Sequence, residues 1–181
     1  MSTRLAALST LFFFAAPGAT AGLGPYFLTR WQSHDWYAAT IPARTVGTLL
    51  VVAGLVILID SFRRFVVEGR GTPAPIEPPT ELVVNGFYRH VRNPMYVASL
   101  AIVVGQALIL GRFILLGYAA FLWLLFNSFV VLYEEPKLAR TFGASYAAYR
   151  AAVPRWIPRV RSWRREAGGT EGAEFTTEER S

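Results

Sequence analysis

Side chains that could carry chemistry are concentrated in two polar stretches, one over residues 82–96 and one that begins at Glu134. In the first stretch Asn93 precedes Pro94, and proline suits the first turn of a helix because a missing N–H costs nothing there. Asn93 is then the natural N-cap, and the free N–H groups of that turn form a ready site for an anion or a carboxylate. The candidates for a general acid or base in these stretches are His90, Tyr96 and Glu134.

Each of these residues also has an ordinary structural interpretation. A loop histidine is more often solvated than catalytic, and Glu134 with Glu135 would offset a helix dipole. Arg89, Arg92 and Arg140 match simple anchors on the inner face of a membrane. The functional interpretation therefore depends on the order and spacing of the whole set.

The elements that must position these residues are apolar helices. Of the 181 residues, 53% are hydrophobic and 17% are charged. Soluble domains average about 45–50% apolar residues and about 25% charged residues. Apolar side chains fill all faces of four segments, which is typical of membrane spans and not of surface helices. These segments cover residues 5–28, 44–62, 94–110 and 113–133. The sequence therefore predicts an all-α integral membrane helical bundle of about four transmembrane helices, in a single domain over residues 1–165.

The first segment has a second interpretation. A basic start, an apolar run and the triplet Ala19-Thr20-Ala21 also match a cleaved signal peptide over residues 5–21. Continued apolarity through Leu23, Phe27 and Leu28 favours a retained helix.

Arginine placement predicts the orientation in the membrane. All but one of the 18 basic residues are arginine, and most lie between spans two and three or after span four. Positively charged loops stay in the cytoplasm, so both polar stretches are expected on that side. Trp156 and Trp163 lie among arginines just beyond a span, which favours contact with anionic lipid over a nucleic-acid partner. Residues 166–181 are predicted to form a disordered acidic tail.

Taken in order, the two polar stretches resemble a known family. The first reads Leu-Val-x-x-Gly-x-Tyr-x-x-x-Arg-x-Pro-x-Tyr from Leu82 to Tyr96. After a helical hairpin, the second reads Glu-Glu-x-x-Leu-x-x-x-Phe-Gly-x-x-Tyr-x-x-Tyr-x-x-x-Val-Pro from Glu134. This order resembles the isoprenylcysteine carboxyl methyltransferases, membrane enzymes related to phospholipid methyltransferases, over roughly residues 71–158, about half of the chain.

The resemblance implies an S-adenosylmethionine pocket built from residues 71–96 and 134–158, and methyl transfer to a membrane-embedded or lipid-like acceptor. The positions that match the family's cofactor residues are Thr80, Glu81, Leu82, Val83, Tyr88, Asn93, Pro94, Met95, Tyr96 and Glu134. In this scheme Glu134 would hold the amino group of the cofactor, and the turn at residues 93–96 would cap the pocket. These roles suit an amino-acid moiety, which needs one carboxylate and one set of N–H donors.

Three positions depart from the family pattern. Asn93 stands where the prenylcysteine enzymes have histidine, and Thr80 replaces another histidine at the start of the cofactor segment. Val130 occupies the position of a substrate-contacting arginine. An arginine at this position would bind the carboxylate of the substrate. Its absence argues against a prenylcysteine carboxylate as the substrate.

The implied reaction is in-line displacement at a sulfonium methyl group, with no metal. The chain has no cysteine, and its two histidines, His34 and His90, fall on opposite sides of the membrane in the predicted topology. A carboxylate or thiolate acceptor needs no protein base, whereas an amine or hydroxyl acceptor does. Tyr96, Glu134 and His90 are the candidates for that base, and the sequence does not choose among them.

Two other functions fit parts of the pattern. A membrane reductase of the steroid 5α-reductase type has similar Arg-x-Pro-x-Tyr and Gly-x-x-Tyr-x-x-Tyr elements, and it would bind NADPH. A non-catalytic four-helix membrane protein would explain the arginines and tryptophans but not the ordered motifs. Only the methyltransferase is expected to bind S-adenosylhomocysteine.

Overall fold

The computed structural model describes residues 16–33, 41–68, 82–161 and 163, which are mostly helical. A π-helical turn at Ala19–Leu23 leads into α1 (Gly24–Thr29). The remaining helices are α2 (Ile41–Glu68), α3 (Pro94–Leu110), α4 (Ile114–Phe129) and α5 (Glu135–Ala152). A 3-10 turn at Gly86–Arg89 precedes α3, and a π-helical segment at Val130–Glu134 joins α4 to α5. The described residues contain no strand, which confirms the predicted all-α fold class.

Two of the described helices are long and apolar enough to cross a membrane: Ile41–Arg64 and the continuous helix that begins at Ile114. Helix α3 is shorter, with 17 residues. Many large apolar side chains of α2 and α4 face outward and are exposed, among them Leu49, Val52, Ile59, Phe121, Leu124 and Leu125. Such a surface is unfavourable in water and natural against lipid. The chain is therefore a membrane-embedded helical bundle.

Close contact between α2 and α3 depends on two glycines of α2. A Cβ atom added at Gly47 would lie 2.7 Å from the carbonyl oxygen of Gly105, and one at Gly54 would lie 2.9 Å from that of Ala98. Both distances are too short for real side chains, so the two backbones touch where the glycines lie. Small residues let membrane helices approach in this way, because packing replaces the hydrophobic effect inside a bilayer.

A tight turn folds α3 and α4 into a hairpin. Gly111 ends α3 in the left-handed conformation, with φ of 64°, and its N–H bonds to the carbonyl of Ala107. The hairpin buries Ala98 and Val103 of α3 against Leu115 and Leu122 of α4. The first turn of α3 therefore lies at the same end of the bundle as the last turn of α4.

A further glycine bends α5. Gly143 has φ of 48° and ψ of −121°, so the helix kinks there. The kink separates the first turns of α5 from Tyr146 and Tyr149, which are buried against Leu82, Val84 and Trp163.

Parts of the predicted organisation fall on residues that the structure does not describe. These are the start of the first predicted span, residues 71–81 of the predicted cofactor region, and the acidic tail at 166–181. The domain limits stay a prediction.

Candidate active site

The first turn of α3 and the end of the π-helical segment bring Tyr96 and Glu134 into contact. The hydroxyl of Tyr96 donates a hydrogen bond of 2.6 Å to Oε1 of Glu134. The ring of Tyr96 also stacks on Phe126 of α4, with centroids 4.6 Å apart. π-Helical insertions in α-helices occur often at functional sites, because the extra residue redirects the side chains that follow. Here the insertion ends at Glu134, a half-buried carboxyl group with an aligned donor.

The next residue, Glu135, is buried and surrounded by arginines. Arg155 donates two hydrogen bonds to it, of 2.7 and 2.9 Å, Arg92 lies at 3.0 Å, and Arg150 lies at 3.8 Å. Burial alone would raise the pKa of this carboxyl group, but the hydrogen bond from Arg155 and the charges of Arg92 and Arg155 outweigh burial and hold the pKa below its ordinary value. Sequence reasoning assigned Glu135 only a helix-dipole role and missed this ion-pair cluster.

The loop before α3 packs on the inner face of α5. Val83 and Tyr88 are buried, and Leu82 packs against Tyr146 and Tyr149. The hydroxyl of Tyr149 donates to the carbonyl of Tyr88 at 2.7 Å. Burial raises the pKa of Tyr149, so this hydroxyl stays protonated and remains a donor.

A positive φ angle shapes the same loop. Gly86 has φ of 59°, and a Cβ atom at this position would collide with the side chain of Arg64 from α2. Arg64 is in turn bonded to Asp60 one turn earlier, at 2.8 Å. The loop therefore rests on the end of α2, where only glycine fits.

Asn93 occupies the N-cap position of α3 without capping it. Its side-chain amide instead donates to the carbonyl of Arg155 at 3.2 Å, and no side chain caps the helix. Pro94 follows and is buried, and Met95 packs against the bundle core. The first turn of α3 thus keeps N–H groups without a side-chain partner beside Tyr96.

A segment after α5 crosses the loop before α3, and we call residues 153–161 together with Trp163 the strap. Backbone bonds link Arg92 to Pro154, Arg159 to His90 and Trp163 to Arg89, at 2.9, 3.0 and 3.1 Å. Nδ1 of His90 also lies 2.8 Å from the carbonyl oxygen of Arg159. Since a carbonyl only accepts, Nδ1 carries the proton in this contact. His90 therefore bonds to the strap and not to Glu134.

Among the residues suggested by the sequence, the structure brings Tyr96 and Glu134 into direct contact and places Asn93, Pro94 and Met95 on the adjoining turn. Leu82, Val83 and Tyr88 lie in the loop that packs on α5. Thr80 and Glu81 lie outside the described residues.

A comparison with protein-family models matches residues 42–145 to the phospholipid methyltransferases. This range covers more than half of the chain and includes both Tyr96 and Glu134. The chain belongs to the phospholipid methyltransferase family. The match confirms the predicted superfamily.

One curated relative is the protein-S-isoprenylcysteine O-methyltransferase of Schizosaccharomyces pombe, which is 38% identical over 80 residues. The aligned region is 44% of this chain and 34% of the relative, so the chain spans about a third of that protein's length. No solved structure matches.

Proposed function

We propose that the chain is a membrane methyltransferase that takes its methyl group from S-adenosylmethionine and transfers it to a lipid-like acceptor. The observation that supports this most is the Tyr96–Glu134 pair beside the uncapped first turn of α3, inside the region that matches the family. S-adenosylmethionine supplies an electrophilic methyl group when bound. Its amino-acid end needs one carboxylate and one set of N–H donors, and this end of the hairpin offers both.

In this proposal Glu134 and Tyr96 have different roles. Glu134 holds the cationic amino group or accepts a proton from the acceptor, and the hydroxyl of Tyr96 orients its carboxylate. Leu82, Val83 and Tyr88 are of the apolar and aromatic types that an adenine ring packs against, and Val83 and Tyr88 are already shielded from solvent. The strap is bonded to the loop along its length, and we expect this cover to limit the access of water, which favours a fixed near-attack geometry.

Two features bear on the acceptor: the position of the Tyr96–Glu134 pair in the bundle and the side chain at Val130. The pair lies at the end of two membrane helices, so a lipid-like acceptor reaches it from the bilayer. Val130 is buried and apolar, one turn before Glu134, so no arginine is present there to read a carboxylate. We place the site on the cytoplasmic side, from the arginines of the loop and the strap.

The test is methyl transfer by the purified protein in nanodiscs. Labelled S-adenosylmethionine and a lipid extract of the expression host are the probes, and labelled lipid is measured after extraction. We expect transfer by the wild type, a large loss in Glu134→Gln and Tyr96→Phe, and none of that loss in Tyr133→Phe. Tyr133 is the matched control because its ring is exposed on the same helix. No labelled lipid with the wild type, together with no binding of S-adenosylhomocysteine, would contradict the proposal.

A further inference from the structure

Trp156 of the strap is turned toward the membrane helix α4. Its indole N–H donates a hydrogen bond of 3.0 Å to Oδ1 of Asn127. Asn127 is a polar residue in an apolar helix, where an amide needs a protein partner because lipid offers none. The bond therefore fixes the indole ring against α4.

The fixed ring lies across the seam between α3 and α4. Its centroid is 6.4 Å from the ring of Tyr96 on α3 and 6.3 Å from the ring of Trp123 on α4. Trp123 is 42% exposed and belongs to the lipid-facing surface of α4. The indole of Trp156 thus lies between Tyr96, which is hydrogen-bonded to Glu134, and the lipid-facing surface of the bundle.

Trp156 also lies on the bilayer side of Glu134. Asn127 precedes Glu134 by two helical turns, and at about 1.5 Å per residue this separates them by roughly 10 Å along the helix. Residues earlier in α4 lie deeper in the membrane. A group that moves along the seam from the bilayer therefore meets Trp156 before it reaches the Tyr96–Glu134 pair.

Several contacts hold the strap in place without the indole ring. Arg155 bonds to Glu135, and Pro154, Arg159 and Trp163 make backbone bonds to the loop. None of these contacts uses the ring of Trp156, so we expect them to persist when the ring is removed. The ring is thus free to serve a purpose other than holding the strap.

We propose that Trp156 is a specificity-determining residue, which closes the bilayer side of the Tyr96–Glu134 pair and limits the bulk of the acceptor that reaches it. This inference rests on the proposed function, because it treats Glu134 as the end of the acceptor's path. It adds a residue of the strap to a site otherwise built from α3, α4 and the loop.

The test measures access to Glu134 with two lipid-soluble carbodiimides of different bulk. Both add to a protonated carboxyl group and leave a stable acylurea, which mass spectrometry locates on the peptide that contains Glu134. In Trp156→Ala we expect labelling by dicyclohexylcarbodiimide to rise several-fold, and labelling by the smaller diisopropylcarbodiimide to rise much less. Trp156→Phe keeps a ring in place and is expected to label nearly as the wild type does.

Trp163→Ala is the matched control, because Trp163 belongs to the same strap but packs on Tyr149, with ring centroids 5.6 Å apart. Its labelling is expected to equal that of the wild type. An equal rise in Trp163→Ala would mean that any loosening of the strap opens the site, and it would overturn the proposal. Unchanged labelling in Trp156→Ala, or no labelling of Glu134 in any variant, would also overturn it.

Binding of S-adenosylhomocysteine is measured on the same samples. A wild type that does not bind it contradicts the proposed function whatever the labelling rates are. Binding with unchanged labelling contradicts the role of Trp156 alone.

Discussion

Two adjacent glutamates have opposite surroundings. Consecutive residues of a helix are about 100° apart around its axis, so Glu134 and Glu135 face different neighbours. Glu134 meets a neutral tyrosine hydroxyl, whereas Glu135 meets Arg92 and Arg155. The first carboxylate keeps capacity for a cationic ligand, and the second is already neutralised by the protein itself.

Glu135→Gln is expected to destabilise the protein at neutral pH. The change leaves the partly buried Arg92 and Arg155 without their carboxylate, and breaking a buried ion pair costs about 3–5 kcal/mol. The measurement is the thermal unfolding midpoint in detergent at pH 7. Asp60→Asn is the control, because its pair with Arg64 is partly exposed and single-turn pairs of this kind contribute only about 0.3–0.5 kcal/mol. Equal midpoints for the two variants would contradict the account.

The same carboxylate makes stability depend on pH. The pKa of Glu135 is lower in the folded protein than the value of about 4.3 in an unfolded chain. Its stabilisation is therefore fully present above the unfolded pKa and is lost as the pH falls through the folded pKa. Between pH 7 and pH 3 the wild-type midpoint should fall by more than that of Glu135→Gln. An equal fall in both proteins would show that Glu135 does not carry this effect.

At the scale of residues, the sequence motif identifies Glu134 as a candidate site residue, but it does not reveal the ion pairs of Glu135. Glu134 was identifiable because its spacing from Tyr96 matches a motif. The partners of Glu135 come from the loop and the strap, far away in the chain, so their convergence depends on the tertiary fold. Adjacent acidic residues preceding Pro136, together with arginines in both polar stretches, were the available signal.

At the scale of elements, glycine contacts hold α2 against α3. Gly47→Val is expected to lower the free energy of unfolding by about 1–3 kcal/mol, because an inserted side chain collides with the backbone of Gly105. Ala53→Val is the matched control, since Ala53 is exposed on the outer face of the same helix. The measurement is thermal unfolding in detergent. A similar loss in both variants would show that close backbone contact does not stabilise the pair.

Apolar patterning predicted the helices better than their connections. Long apolar runs indicated α2, α3 and α4, because lipid-facing and core-facing residues of a membrane helix are equally apolar. The apolar pattern of the sequence does not indicate the π-helical segment that joins α4 to α5. The sequence predicts that Trp156 and Trp163 contact lipid, whereas in the structure Trp156 bonds to Asn127 and Trp163 packs on Tyr149. Contact of this region with anionic lipid stays a prediction.

At the scale of the whole molecule, the proposed orientation puts the strap and the loop before α2 on opposite sides of the membrane. The chain has no cysteine, so single cysteines report sidedness without a background. An impermeant maleimide is expected to label Ser33→Cys in intact host cells, and Arg161→Cys only after the membrane is permeabilised. Both positions are exposed in the structure. Labelling of both from the same side would contradict the orientation.

In the proposed function, the Tyr96–Glu134 end of the hairpin binds the methyl donor. Titration calorimetry of the detergent-purified protein with S-adenosylhomocysteine tests it most directly. The wild type is expected to bind, and Glu134→Gln to bind at least about tenfold more weakly, because a hydrogen bond to a charged group contributes about 1.5–3 kcal/mol. The thermal midpoint of the variant, measured alongside, is expected to stay close to that of the wild type. No heat of binding with the folded wild type, or equal affinity in Glu134→Gln, would contradict the account.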